Sequence, residues 1–203
     1  MTKNLRALAA LLSYPDEALL AALPEICAFL PGAALPLAHE LAAQDLYESQ
    51  ARYVALFDRS RALSLHLFEH VHGESRERGQ AMVDLQATYA ARGLCVAAHE
   101  LPDYVPAFLE YASLAGEEAR SLLRETAHIW RALGDRLAER GSPYAGVFGA
   151  LFELAGEPGL ARKVRARNAA PEDLAALERN WMDPQVTFGG PQPVRLYRNG
   201  VPA

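Results

Sequence analysis

An all-α fold, a single helical bundle followed by a less ordered C-terminal tail, is predicted by three features of the chain. Apolar residues recur at i, i+3, i+4 and i+7 almost throughout. Helix-start signals built from Ser-Pro and Pro-Asp pairs stand ahead of those stripes. Alternating β-branched and aromatic runs are missing until Gln185-Val186-Thr187-Phe188. With 203 residues the chain can bury a sizeable core, and it suits one domain plus a tail.

The first helix is expected over about 3–13. Lys3 and Arg6 precede the apolar run Ala7 to Leu12 as in a signal peptide, but Asp16 and Glu17 follow before any convincing cleavage site. A second helix is expected over 16–30, with Pro24 as a candidate break. Residues 35–57 read as two helical pieces, in which Tyr53, Leu56 and Phe57 fall at core spacing. Helices over 62–71 and 76–91 follow. The second carries the stripe Met82, Leu85 and Tyr89 and closes on Gly93 as a C-cap.

In the helix over 103–114, Val105, Phe108, Leu109 and Ala112 mark the buried face, and Asp103 is placed to cap its start. The longest helix, 117–140, shows Leu122, Thr126, Ile129, Trp130, Leu133 and Leu137 and ends near Gly141. Behind Ser142-Pro143, the helix over 143–155 shows Tyr144, Val147, Phe148, Leu151 and Phe152. Gly141, Gly146 and Gly149 sit in this helical context and suit close packing rather than a phosphate loop. Past Gly159 the character changes: Arg162, Lys163, Arg165 and Arg167 read as a solvated basic linker, and Pro171 to Asn180 as one short helix. The chain thus divides into a helical domain, 1–160, and a linker, short helix and tail, 161–203.

Composition narrows the function. Apolar residues at 51% and charged residues at 22% exclude disorder. A formal charge of −5 argues against general nucleic-acid binding and leaves room for a basic partner. Cys27 and Cys95 form no CxxC pair and read as core fillers in a cytoplasmic protein. No apolar run approaches the ~20 residues that would span a membrane. GxGxxG, GxxxxGK[ST], GxSxG and HExxH are all missing, so nothing points to an enzyme.

The densest chemistry lies in Leu63 to Leu85, LSLHLFEHVHGESRERGQAMVDL. His66-Leu67-Phe68-Glu69-His70 satisfies H-x-x-E-H, in which two imidazoles one helical turn apart hold zinc and the glutamate acts as base. Against a zinc hydrolase stand the missing third ligand, the early Gly73, and the lack of a strand to hold an extended substrate. Helix-end histidines satisfied by carboxylates and backbone are the plainer reading, and a helical adaptor subunit also fits these residues. Arg76, Glu77 and Arg78 read as a solvated face.

Taken with its neighbours, this segment resembles a known family. Tyr53-Val54-Ala55-Leu56-Phe57-Asp58, the Leu63 to Leu85 stretch, Glu100-Leu101-Pro102-Asp103-Tyr104, and Trp181-Met182-Asp183-Pro184-Gln185-Val186-Thr187-Phe188 are similar to the respiratory nitrate reductase assembly chaperones. These form the NarJ branch of the TorD-like redox enzyme maturation proteins. The resemblance implies a TorD-like helical bundle that is cytoplasmic and not an enzyme. It implies a partner, the N-terminal segment of the nitrate reductase alpha subunit. It also implies that the chain assists insertion of molybdopterin guanine dinucleotide into that client, binding no cofactor or metal of its own. Many relatives have histidine where this chain has Tyr104, a group that does not titrate near neutral pH.

A client helix laid in a groove would need apolar walls and an acidic rim. Leu67, Phe68 and Tyr104 are the expected wall, and Asp58, Glu69, Glu74, Glu100 and Asp103 the expected rim. His66 and His70 bridge the two classes, and Pro102 is expected among the client-binding residues.

Overall fold

The computed structural model describes residues 1–72, 76–97, 100–156, 197–198 and 201–202. The chain forms two compact units, Met1–Asn168 and Ala169–Ala203. In the second, the described residues form an antiparallel ladder in which β1 (Tyr197–Arg198) pairs with β2 (Val201–Pro202). The expected boundary at 160, the basic cluster 162–167, the short helix 171–180 and the run 185–188 lie outside the described residues.

The first unit is all-α. Its helices are α1 (Thr2–Leu12), α2 (Glu17–Cys27), α3 (Leu35–Ala43), α4 (Leu46–Phe57), α5 (Leu67–Val71), α6 (Glu77–Ala90), α7 (Val105–Leu114), α8 (Ala119–Glu125), α9 (Ala127–Glu139) and α10 (Ala145–Leu154). Short 3-10 turns at Gly32–Ala34, Arg61–Leu63 and Gly116–Glu118 link them. Side chains start two of the helices. The Asp16 carboxylate accepts from the Leu19 amide at 2.7 Å, and Asp45 accepts from the Tyr47 amide at 2.8 Å.

The core is built by α1 along α7 and by α10 along α9. Trp130 sits at its centre, fully buried, between Phe108 and Phe148 at ring separations of 6.2 Å each. Its indole N–H donates to the Leu123 carbonyl at 3.2 Å, so burial leaves no orphaned donor. The predicted stripes of α7, α9 and α10 are the buried faces: Val105, Leu109, Ala112, Leu133, Leu137, Val147, Phe148 and Leu151 are all sealed from solvent.

Two predicted helices differ from the structure. Residues 62–71 are not one helix, because Ser64 to His66 run extended to pair with the segment before α7. The helix expected over 117–140 breaks at Thr126, whose hydroxyl donates to the carbonyls of Leu122 and Leu123 at 2.9 and 3.2 Å and so competes with the helical ladder. Pro24, by contrast, stays inside α2.

The cap assignments changed as well. Gly93 and Gly141 do take positive φ, 72° and 64°, as C-terminal residues must. Ser142 caps nothing, and its hydroxyl is buried without a partner. Of the α6 stripe, only Tyr89 is buried. Cys27 packs beside the core, whereas Cys95 is exposed rather than a core filler.

Candidate functional site

Asp103 organises the centre of the signature segment. It does not cap its own helix: α7 begins at Val105 behind Tyr104 with no side-chain cap, and the Asp103 side chain turns inward, with 0% of its residue surface exposed. Two backbone bonds lock the position, Val105 N–H to the Leu65 carbonyl at 2.8 Å and Leu67 N–H to the Asp103 carbonyl at 3.0 Å. This makes a single antiparallel bridge between His66 and Tyr104. One carboxylate oxygen then accepts from the Phe68 amide at 3.0 Å, satisfying a first-turn donor of α5 from across the bridge. The other accepts from His66 Nδ1 at 3.1 Å. Arg78 of α6 reaches in from the far side, 3.5 Å from Glu69 and 4.0 Å from Asp103.

This arrangement removes the geometry an H-x-x-E-H zinc site presumes. His66 stands in extended backbone before α5, with φ −107° and ψ 114°, so it does not share a helical face with His70. His70 Nε2 donates to the Ser64 carbonyl at 2.8 Å, which commits that nitrogen as a donor. His66 is instead half of an ion pair. Its hydrogen bond to Asp103 raises its pKa above the ordinary 6.5, helped by the charges of Asp103 and Glu69, while burial and Arg78 pull the other way.

A raised folded value means that this pair stabilises the fold fully below the unfolded value and ceases to do so as pH rises through the folded one. Urea midpoints are therefore expected to fall as pH rises above the ordinary histidine value of about 6.5, and the His66→Gln variant to show a flatter profile. Identical profiles for the two proteins would rule the pair out as a source of stability.

Tyr104 joins the junction to an open cleft. Its ring lies 5.6 Å from that of His66, and its hydroxyl is 3.0 Å from the Tyr53 hydroxyl. Tyr53 gives its single proton to the Leu12 carbonyl at 2.9 Å, so Tyr104 is the donor of the pair. Burial raises the pKa of both phenols, which keeps them neutral and able to donate. On its other side Tyr104 lines a cleft of about 270 Å³ between α7 and the residues that follow α6. Leu94, Val96, Tyr111 and Leu114 give it an apolar wall, and Glu100 and Glu110 supply carboxylates. Leu114, at the end of this wall, is 58% exposed.

The expected site residues thus separate into layers. Tyr104 and Glu100 line the cleft, and Pro102 supports it by accepting from the Tyr89 hydroxyl at 2.9 Å. Leu67 is 3% exposed and belongs to the core, so it forms no groove wall; Asp103 is likewise interior and forms no rim. Phe68 is half-buried against the core and stacks edge-on with His72 at 5.4 Å. Glu69, His66 and His70 are half-buried and internally bonded, and Asp58 is exposed at the end of α4. Glu74 lies outside the described residues.

Sequence reasoning passed over Arg78, assigned to a solvated face, and the cleft residues Leu94, Val96, Glu110 and Leu114. Residues 94–97 carry no periodicity that could have flagged them. The exposed leucine at the end of the α7 stripe was the available signal for the wall.

Comparison with known proteins places this geometry among relatives. The model of the nitrate reductase delta subunit family matches residues 13–150. The chain is 41% identical over 191 residues to the probable nitrate reductase molybdenum cofactor assembly chaperone NarW of Escherichia coli (strain K12), covering 91% of this chain and 83% of that protein. It is 46% identical over 156 residues to the nitrate reductase molybdenum cofactor assembly chaperone NarJ of the same strain, covering 73% of this chain and 65% of the relative. The crystal structure of a putative redox enzyme maturation protein from Archaeoglobus fulgidus shares the fold, with a TM-score of 0.56 at 23% identity, over 77% of this chain and 94% of that one.

Proposed function

This chain belongs to the nitrate reductase delta subunit family, and from that membership we propose that it is an assembly chaperone for the nitrate reductase alpha subunit, gripping that subunit's N-terminal segment. The observation that carries the reading is the cleft beside Tyr104, with an open leucine wall and two carboxylates. An amphipathic helix bearing basic residues is the complement of such a surface. Its apolar face covers Leu94, Val96 and Leu114, and its cations meet Glu100 and Glu110. The net charge of −5 steers such a partner inward.

Holding that segment keeps the client open for insertion of molybdopterin guanine dinucleotide, which is the client's cofactor. Nothing in this role requires a catalytic group, and the cytoplasm is where the apoenzyme would be met. Among the described residues no helix is long and apolar enough to cross a membrane.

Titration with a synthetic peptide of the alpha subunit's first ~15 residues, a helix of about 22 Å when folded, is expected to give a micromolar or tighter dissociation constant. Leu114→Glu, at an exposed position, should leave the fold intact and weaken binding by about tenfold, as loss of one apolar anchor does. Absence of heat and of chemical-shift change at saturating peptide would remove the reading.

A further inference from the structure

The cleft beside Tyr104 has a low point on its α7 side. Tyr104, Ala107, Tyr111 and Leu114 stand at i, i+3, i+7 and i+10, so they follow one another along one face of α7 and its start, and all four line the cleft. Three of them are large and one is not. Ala107 is half-buried and offers only a methyl group, with Tyr104 about one turn before it and Tyr111 about one turn after it. The face therefore dips at Ala107, and Leu94 and Val96 close the dip from the side of the residues that follow α6. Both tyrosines are backed by other side chains. The Tyr104 hydroxyl is 3.0 Å from that of Tyr53, and its ring lies 5.6 Å from that of His66. The Tyr111 ring packs 4.8 Å from that of Tyr89 and 5.1 Å from the Arg92 guanidinium, which is itself paired with Glu118. The notch is thus formed before any partner arrives, which lowers the ordering cost of filling it. Its capacity is limited. The whole cleft, about 270 Å³, exceeds the ~150 Å³ that holds a benzene ring in a protein core and falls below the ~300–1,000 Å³ of sites for drug-sized ligands.

We infer that Ala107 is the specificity-determining position of this cleft: its small side chain leaves a notch that takes one large apolar anchor of the client helix, seated between Tyr104 and Tyr111. The inference rests on the chaperone reading above and names the kind of client side chain that carries the affinity. When two helices pack, the large residues of one enter where the other is small. Seating the anchor also fixes the register of the client, because Glu110 lies one turn along α7 from Ala107 and lines the same cleft. A client residue about one turn from the anchor meets that carboxylate, and a cation there is favoured. A basic helix that lacks the anchor leaves the notch empty and forfeits its contacts, so the cleft discriminates by shape as well as by charge.

A matched pair of changes, one on each partner, tests the notch. An alanine scan of the alpha-subunit peptide against the wild-type chain is expected to single out one large apolar residue, whose truncation weakens binding about thirtyfold, as loss of a hot-spot anchor does. Ala107→Leu fills the notch from the chaperone's side. Leucine keeps the helix propensity of this half-buried position, so the urea midpoint should stay with the wild-type chain while binding of the unaltered peptide falls by a similar factor. The truncated peptide should then bind Ala107→Leu at least as tightly as it binds the wild-type chain, a reversal that a merely structural role would not produce. In the wild-type complex, nuclear Overhauser contacts should join the anchor to the Ala107 methyl group, a readout that does not depend on how the variant folds. Unchanged binding of the unaltered peptide by Ala107→Leu, equal losses for both peptides, a scan without a dominant residue, or no contact to the Ala107 methyl group overturns the notch while leaving the chaperone reading intact. Failure of the wild-type chain to bind the unaltered peptide overturns both.

Discussion

Gly146→Ala is expected to destabilise the chain by about 3 kcal/mol, whereas Gly149→Ala, one turn along the same helix, is expected to stabilise it by up to about 1 kcal/mol. Both glycines are buried in α10 and neither needs a positive φ. At Gly146 a methyl group would overlap the carbonyl oxygen of Ala33 and come within 2.9 Å of its carbon. The obstacle is backbone, held by the 3-10 turn at Gly32–Ala34, so relief requires moving a segment rather than turning a side chain. Overpacking of this kind ordinarily costs 1–3 kcal/mol and more when backbone must shift, which outweighs the helix propensity gained. At Gly149 nothing lies within 4 Å of the added carbon, so the propensity gain stands alone. Urea denaturation of the two variants beside the wild-type chain reads the difference directly. A loss below 1 kcal/mol at Gly146 would mean that α10 does not sit this close to the turn.

These two glycines also mark where sequence reasoning reaches its limit. A pattern of apolar spacing predicted α10 and its buried face, because a helix facing a core must repeat its contacts every 3.6 residues. It gave a general expectation of close packing at three glycines but could not say which of them faces a foreign backbone. That depends on where Ala33 arrives, more than a hundred residues earlier in the chain. The same limit explains residues 62–71. Their composition favours a helix, yet three of them are extended because the segment before α7 pairs with them, and no local rule carries that information.

The candidate site was legible in the same uneven way. The Leu63 to Leu85 stretch and Glu100 to Tyr104 stood out as a unit, and the structure joins them through the His66–Tyr104 bridge. Charge and residue type did not reveal that half of this unit faces inward. A leucine, a histidine and an aspartate in a signature read equally well as contacts or as framework, and burial alone tells them apart: Leu67 and Asp103 are interior while Tyr104 opens on the cleft. The division has a physical sense. A cleft of fixed geometry needs the half-buried tyrosine that lines it held from behind, and the buried junction does this.

Asp103→Ala is accordingly expected to cost about 3 kcal/mol, while Asp103→Asn costs about 1. Removing one partner of a buried pair commonly costs 3–5 kcal/mol, and losing the acceptor for the Phe68 amide adds about 1. His66 and Arg78, with 28% and 27% of their side-chain surface exposed, can turn toward water and recover part of that loss. The asparagine keeps a carbonyl oxygen for the Phe68 amide and loses chiefly the charge. For a chain of this length about 3 kcal/mol corresponds to a melting temperature about 6–12 °C lower. The alanine variant should also unlatch the bridge, so amide exchange at Leu67 and Val105, the two donors that close it, should accelerate far more than exchange at Leu133 in α9. On the proposed function, peptide binding should then weaken as well, because Tyr104 loses its support from behind. If both variants melt with the wild-type chain, the carboxylate is not what holds α5 to the start of α7.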